Sequence, residues 1–98
     1  MPGKGNHHVN PDCRPSLIAQ GRLKHDPVRG STFFLLPERV VKLNETGAAI
    51  LTLCDGKRTV REIQQELEQQ FASENIENDV KSFLQRVVNQ GWVELNCG

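Results

Sequence analysis

The sequence has no net charge. Twelve Lys and Arg balance twelve Asp and Glu over 98 residues, so there is no global attraction to nucleic acid or to an anionic membrane. No apolar run approaches the ~18 residues of a membrane span. The first residues, MPGKGNHHVN, lack the apolar stretch of a secretory signal. Cysteine is scarce: Cys13, Cys54 and Cys97 are odd in number and far apart. That spacing reads as neither a disulfide framework nor a CxxC metal clip, and it leads to the expectation of a reduced, cytoplasmic setting. Also missing are a nucleophile–base pair, metal-ligand spacing and a Gly-rich phosphate loop. The expectation is therefore no catalytic residue, no metal and no cofactor. A chain of this length forms one domain with a small core, which favours binding over catalysis in a deep cavity.

The charge that is present is unevenly spread. Residues 1–44 hold seven basic and three acidic residues, and residues 45–98 hold five basic and nine acidic. Residues 1–13 contain Gly, His, Asn and Pro with hardly an apolar side chain. They read as a flexible arm, followed by one domain over 14–98. His7, His8 and His25 have no carboxylate or thiol at helical spacing and read as plain exposed histidines.

Order begins near RPSLIAQGRLKHD, with Leu17, Ile18 and Leu23 as apolar anchors and a short strand over 23–26. STFFLLP is the clearest strand, bulky residues closed by Pro; its four consecutive apolar residues predict cover on both faces. PER makes a tight connection to VVKLN, where Val41 and Leu43 share one face and Val40 and Lys42 the other. The period then changes. Asn44 is a good N-cap for a helix carrying Ile50, Leu51 and Cys54 on its stripe, with Gly56 as the residue that stops it. Thr59 and Glu62 have capping-box spacing and open a second helix with Val60, Ile63, Leu67 and Phe71 inward. A third helix carries Ile76, Val80, Phe83, Leu84, Val87 and Val88, ends at Gly91, and leads into an extended WVEL. Together these predict an α+β fold like a winged helix-turn-helix: a small antiparallel sheet of about three strands, then a three-helix bundle.

In the joint LCDGKRTVREI, Cys54 sits among apolar neighbours and reads as packing, because burial raises a thiol's pKa and makes it inert. Lys57, Arg58 and Arg61 make the joint basic. They are either a solvated face or a docking patch for an acidic partner.

RPSLI, VKLN, CDGKRTVREI, IENDVKSFL and GWVEL, in that order, resemble the PqqD family of pyrroloquinoline quinone (PQQ) biosynthesis over about residues 14–95. The resemblance implies a peptide-recognition domain that hands a ribosomally made precursor to its modifying enzyme. The implied partners are the precursor peptide PqqA and the radical S-adenosylmethionine enzyme PqqE. Where the family often has Pro-Glu-Gly, this chain has Pro37-Glu38-Arg39, which is less suited to a turn needing φ > 0.

The leading expectation is a non-catalytic adaptor that adds the peptide as a strand to an exposed sheet edge. That edge is Val40, Val41, Lys42 and Leu43. The resemblance places the peptide between this strand and the third helix, where Lys81, Leu84, Gln85 and Val88 are the candidate lining residues. Leu84 and Val88 equally suit ordinary core, and the sequence leaves open which flank of the helix faces the groove. The alternatives are a DNA-binding winged helix, disfavoured because Glu77, Asp79, Lys81 and Arg86 give the third helix no net cationic face, and a PQQ-binding carrier. An exposed edge also allows a weak homodimer beside the monomer.

Overall fold

The computed structural model describes residues 9–71 and 75–97. In chain order the elements are β1 (Arg14–Leu17), β2 (Arg22–Asp26), β3 (Ser31–Leu36), β4 (Arg39–Leu43), α1 (Glu45–Thr52), α2 (Val60–Gln70), α3 (Ile76–Asn89) and β5 (Val93–Asn96). β2, β3 and β4 form an antiparallel sheet in that order, and β1 pairs with β5 in a separate two-stranded ribbon. The fold is therefore α+β, a small antiparallel sheet with three helices.

The helix starts follow the sequence. The Asn44 side chain accepts from the Gly47 N–H at 2.7 Å, and Thr59 and Glu62 form a complete capping box at α2. Two further α2 donors are satisfied from the front of the chain, Val60 N–H by the Cys13 carbonyl and Arg61 N–H by the Pro11 carbonyl. Hence residues 9–13, assigned to the arm by composition, pack onto the domain. Val9 and Cys13 are buried, the Val9 N–H donates to the Gln85 side chain, and Asp12 pairs with Arg61 at 3.1 Å. Residues 1–8 lie outside the described residues.

The core joins Phe34 and Leu43 of the sheet to Ile50 and Leu51 of α1, Ile63 and Leu67 of α2, and Val80, Leu84 and Val87 of α3. Trp92 completes it, its ring 5.2 Å from that of Phe34. Gly47 lies where α1 crosses α3. A Cβ there would approach the Phe83 ring to 3.0 Å, so only glycine allows this contact without a shift.

Three expectations need correction. First, β3 is covered on one face only. Phe34 is buried, whereas Phe33 and Leu35 are half-buried and do not pack against the core. Second, α1 ends at Thr52, so Cys54 lies beyond the helix and Gly56 is not its C-cap. Gly56 does adopt φ +78°, but in the loop where its N–H donates to the Pro15 carbonyl. Third, Cys13 and Cys97 form a disulfide across 84 residues. The cause is non-local: β1 pairs with β5 through Arg14↔Asn96, which sets the flanking cysteines side by side. The cysteine argument for a reduced compartment therefore falls. In keeping with the departure from Pro-Glu-Gly, Pro37 and Glu38 form a two-residue turn without any positive φ. Arg39 belongs to β4 and stacks over Trp92, 5.4 Å from its ring centroid. Among the described residues no helix is long and apolar enough to cross a membrane.

Candidate functional site

β4 is one edge of its sheet, and the register determines what that edge offers. Leu36 pairs with Arg39 across the two-residue turn. A pair closing so short a loop must be a hydrogen-bonded one. Alternation then makes Phe34↔Val41 and Thr32↔Leu43 hydrogen-bonded pairs too. The N–H and C=O groups of Val40 and Lys42 consequently point away from β3, toward the open edge. Side chains alternate independently of this: Leu43 is buried and Val41 partly so, while Lys42 is exposed and Val40 is 62% exposed. β2, the opposite edge, reads Arg-Leu-Lys-His-Asp, a charged strand of the kind that resists pairing.

Beside the end of β4 lies a groove of about 310 Å³, lined by Asn44, Thr46 and Gly47 of the β4–α1 corner and by Asp79, Ser82, Phe83 and Arg86 of α3. It supplies an apolar wall, the half-buried Phe83, next to a cation, Arg86. The sequence missed this flank because Phe83 sits at a core period; its ring packs on Gly47 of α1, a contact between helices that no helical pattern encodes. Lys81 and Gln85 line a neighbouring groove with Val9, Ser82, Arg86 and Asn89. Ser82 and Arg86 border both grooves. Leu84 and Val88 are 0% and 9% exposed, so they are core. The structure thus brings Val40 and Lys42 together on one edge and Lys81 with Gln85 on one helix flank.

The basic joint is partly neutralised within the chain. Arg58 contacts Asp55 at 2.7 Å and Arg61 contacts Asp12. The Lys57 and Arg58 N–H groups also donate to the Asp55 carboxylate, and these bonds hold its pKa below the usual range. Cys54 is buried as expected, and its thiol donates to the Ile50 carbonyl. Burial, with the Asp55 charge adding to it, pushes its pKa from 9.0 up to about 12. That is the opposite of what a nucleophile needs. No group of three His, Cys, Asp or Glu able to hold a metal exists among the described residues.

Comparison with known proteins agrees with this architecture. The family model described as "Coenzyme PQQ synthesis protein D (PqqD)" matches residues 32–93. A "PqqA binding protein" of Methylococcus capsulatus (strain Bath) is 35% identical, the match covering 87% of this chain and 91% of that protein. Another, of Stutzerimonas stutzeri, is 38% identical over 83% of this chain and 89% of its own length. Among solved structures, the solution NMR structure of the PqqD truncation of Methylobacterium extorquens PqqCD superimposes with a TM-score of 0.68 at 34% identity, covering 82% of this chain and 87% of that one. That protein is described as a functional, stand-alone recognition element for ribosomally synthesised and post-translationally modified peptides. By sequence and by fold, the chain belongs to the PqqD family.

Proposed function

We propose that this protein is a peptide adaptor of PQQ biosynthesis, binding the precursor PqqA as an added strand on β4 and presenting it to PqqE. The observation that carries the reading is the free edge of β4, where the Val40 and Lys42 backbone groups face outward. Relatives named for PqqA binding support PqqA as the peptide, and a solved recognition element of the same fold supports the role.

Mechanistically, backbone bonds to Val40 and Lys42 hold the peptide with little demand on its sequence. Its side chains then alternate. One set projects toward α3, where Phe83 favours an apolar residue and Arg86 an acidic one. The other set projects beside Val40 and Lys42. The protein itself makes or breaks no covalent bond. It converts a disordered peptide into an ordered strand, so that the modifying enzyme meets a positioned substrate.

Calorimetric titration of the chain with synthetic PqqA, alone and with PqqE present, tests this. Saturable binding is expected, together with a ternary complex. The absence of PqqA binding to the folded protein would overturn the reading.

A further inference from the structure

The three-stranded sheet has an outer face that the reading above leaves without a role. Leu23, Phe34 and Val41 lie on the core side, so Arg22, Lys24, Phe33, Leu35, Val40 and Lys42 project from the other. The register sets Lys24 and Lys42 directly across from Phe33, one on each side. It likewise places Arg22 and Val40 beside Leu35. The result is an apolar centre between cations. Among the described residues Arg22, Lys24 and Lys42 form no ion pair. Asp26, on the same face at its end, has its carboxylate turned into the hairpin loop, where it accepts from the Val28 and Arg29 N–H groups and lies 4.0 Å from the Arg29 guanidinium. Phe33 and Leu35 lie side by side on this face, half-buried yet outside the core cluster, with the exposed Val40 beside them, and apolar patches rimmed by polar residues commonly mark interfaces.

We propose that this outer face docks the peptide-modifying enzyme, through a surface of that enzyme that is acidic around an apolar centre. The inference rests on the reading that the chain delivers its peptide to such an enzyme. One observation selects this occupant, and a second sets the chemistry its surface must have. The first is continuity: Val40 and Lys42 belong both to the outer face and to the peptide edge. A strand added there extends the sheet, and half of its side chains project onto the outer face. The other half point to the side closed by α3 and the core. An enzyme that must reach the peptide therefore approaches from the outer face. The second is charge. Three unpaired cations frame the patch, whereas Arg58 and Arg61 of the basic joint are already matched by Asp55 and Asp12. Charge complementarity of this kind sets orientation and association rate.

The test uses Lys24→Glu and Phe33→Ser in the full chain, neither of which alters a residue of β4. Circular dichroism checks folding, and calorimetry measures affinity for PqqA and, separately, for PqqE. Both variants are expected to fold; Lys24→Glu, two strands from the edge, should bind PqqA within about twofold of the unaltered chain, and for Phe33→Ser, half-buried across from Lys42, the loss of PqqE affinity should exceed any loss of PqqA affinity. Phe33→Ser should weaken PqqE binding about tenfold or more, the usual cost of removing an aromatic interface anchor. Lys24→Glu should slow association and flatten its dependence on salt. Unchanged PqqE binding in both folded variants overturns the proposal and leaves peptide recognition standing. Failure of the unaltered chain to bind PqqE defeats the delivery reading and this proposal together. Sedimentation showing a dimer that Phe33→Ser dissociates would assign the face to a second copy instead, and a single-stranded oligonucleotide that binds it would assign it to nucleic acid. Either result overturns the proposal.

Discussion

Proline substitution along β4 should have opposite consequences at adjacent residues. At Lys42 the backbone N–H faces the open edge, so Lys42→Pro removes a donor that only the peptide uses. The lost bond is worth about 0.5–1.5 kcal/mol, and the peptide carbonyl left unpaired adds a desolvation cost. Together these give about 1–3 kcal/mol, or roughly a 5- to 150-fold weaker affinity. Lys42→Ala keeps the N–H and loses only a screened ammonium, so it should cost less. At Val41 the N–H bonds to β3 opposite Phe34, a fully buried side chain. Val41→Pro breaks that ladder and should cost about 3 kcal/mol of stability or more. Calorimetry with PqqA reads the first effect, and thermal melts followed by circular dichroism read the second. If Lys42→Pro is folded and binds PqqA unchanged, the peptide does not use this edge. If instead Lys42→Pro unfolds the hairpin as Val41→Pro does, the register argument is wrong.

Other consequences are open to measurement. Cys54→Ala should lower stability by roughly 1–2 kcal/mol through lost packing and leave PqqA binding unchanged. The native Cys54 thiol should resist alkylation, because its folded pKa of about 12 exceeds its ordinary 9.0. As a raised acid, it contributes no pH dependence below 9.0, and it lowers stability as pH rises from there toward 12. A melting temperature falling over that alkaline window, more steeply than in Cys54→Ala, is the expected sign. Val9→Ala should cost about 1–2 kcal/mol, for a buried side chain outside every helix and strand; no change in melting temperature would mean that residues 9–13 are not packed. Replacing Cys13 and Cys97 by Ser should cost about 2–4 kcal/mol by freeing a long loop in the unfolded chain, and intact-mass analysis under non-reducing conditions should show the unaltered protein two hydrogens lighter than its reduced form.

What could be read from the sequence was local. Asn44, and Thr59 with Glu62, mark helix starts because caps act within three residues, and the 3.6-residue period of Ile76, Val80, Leu84 and Val87 needs nothing beyond its own helix. The two faces of β4 were also legible, from the alternation of Val40 to Leu43. What stayed hidden depends on partners distant in sequence. Phe33 and Leu35 look like core, because four apolar residues in a row do not say whether a second layer covers the strand. The disulfide depends on β1 meeting β5 at the two ends of the chain. The flank of α3 facing the groove depends on Gly47 admitting Phe83, a contact between two helices that periodicity treats separately. The resemblance to the PqqD family supplied the peptide and the enzyme; spacing and composition alone reached only a small binding domain.

Residue-resolved amide hydrogen exchange with and without PqqA tests the central claim most directly. In the free protein the Val40 and Lys42 amides should exchange quickly, while the Val41 and Leu43 amides are held by β3. Saturating PqqA should slow Val40 and Lys42 by about tenfold or more, as expected when an N–H gains a partner worth 1 kcal/mol or above, and should change Val41 and Leu43 far less. PqqA that binds while Val40 and Lys42 exchange as fast as before would contradict strand addition at β4.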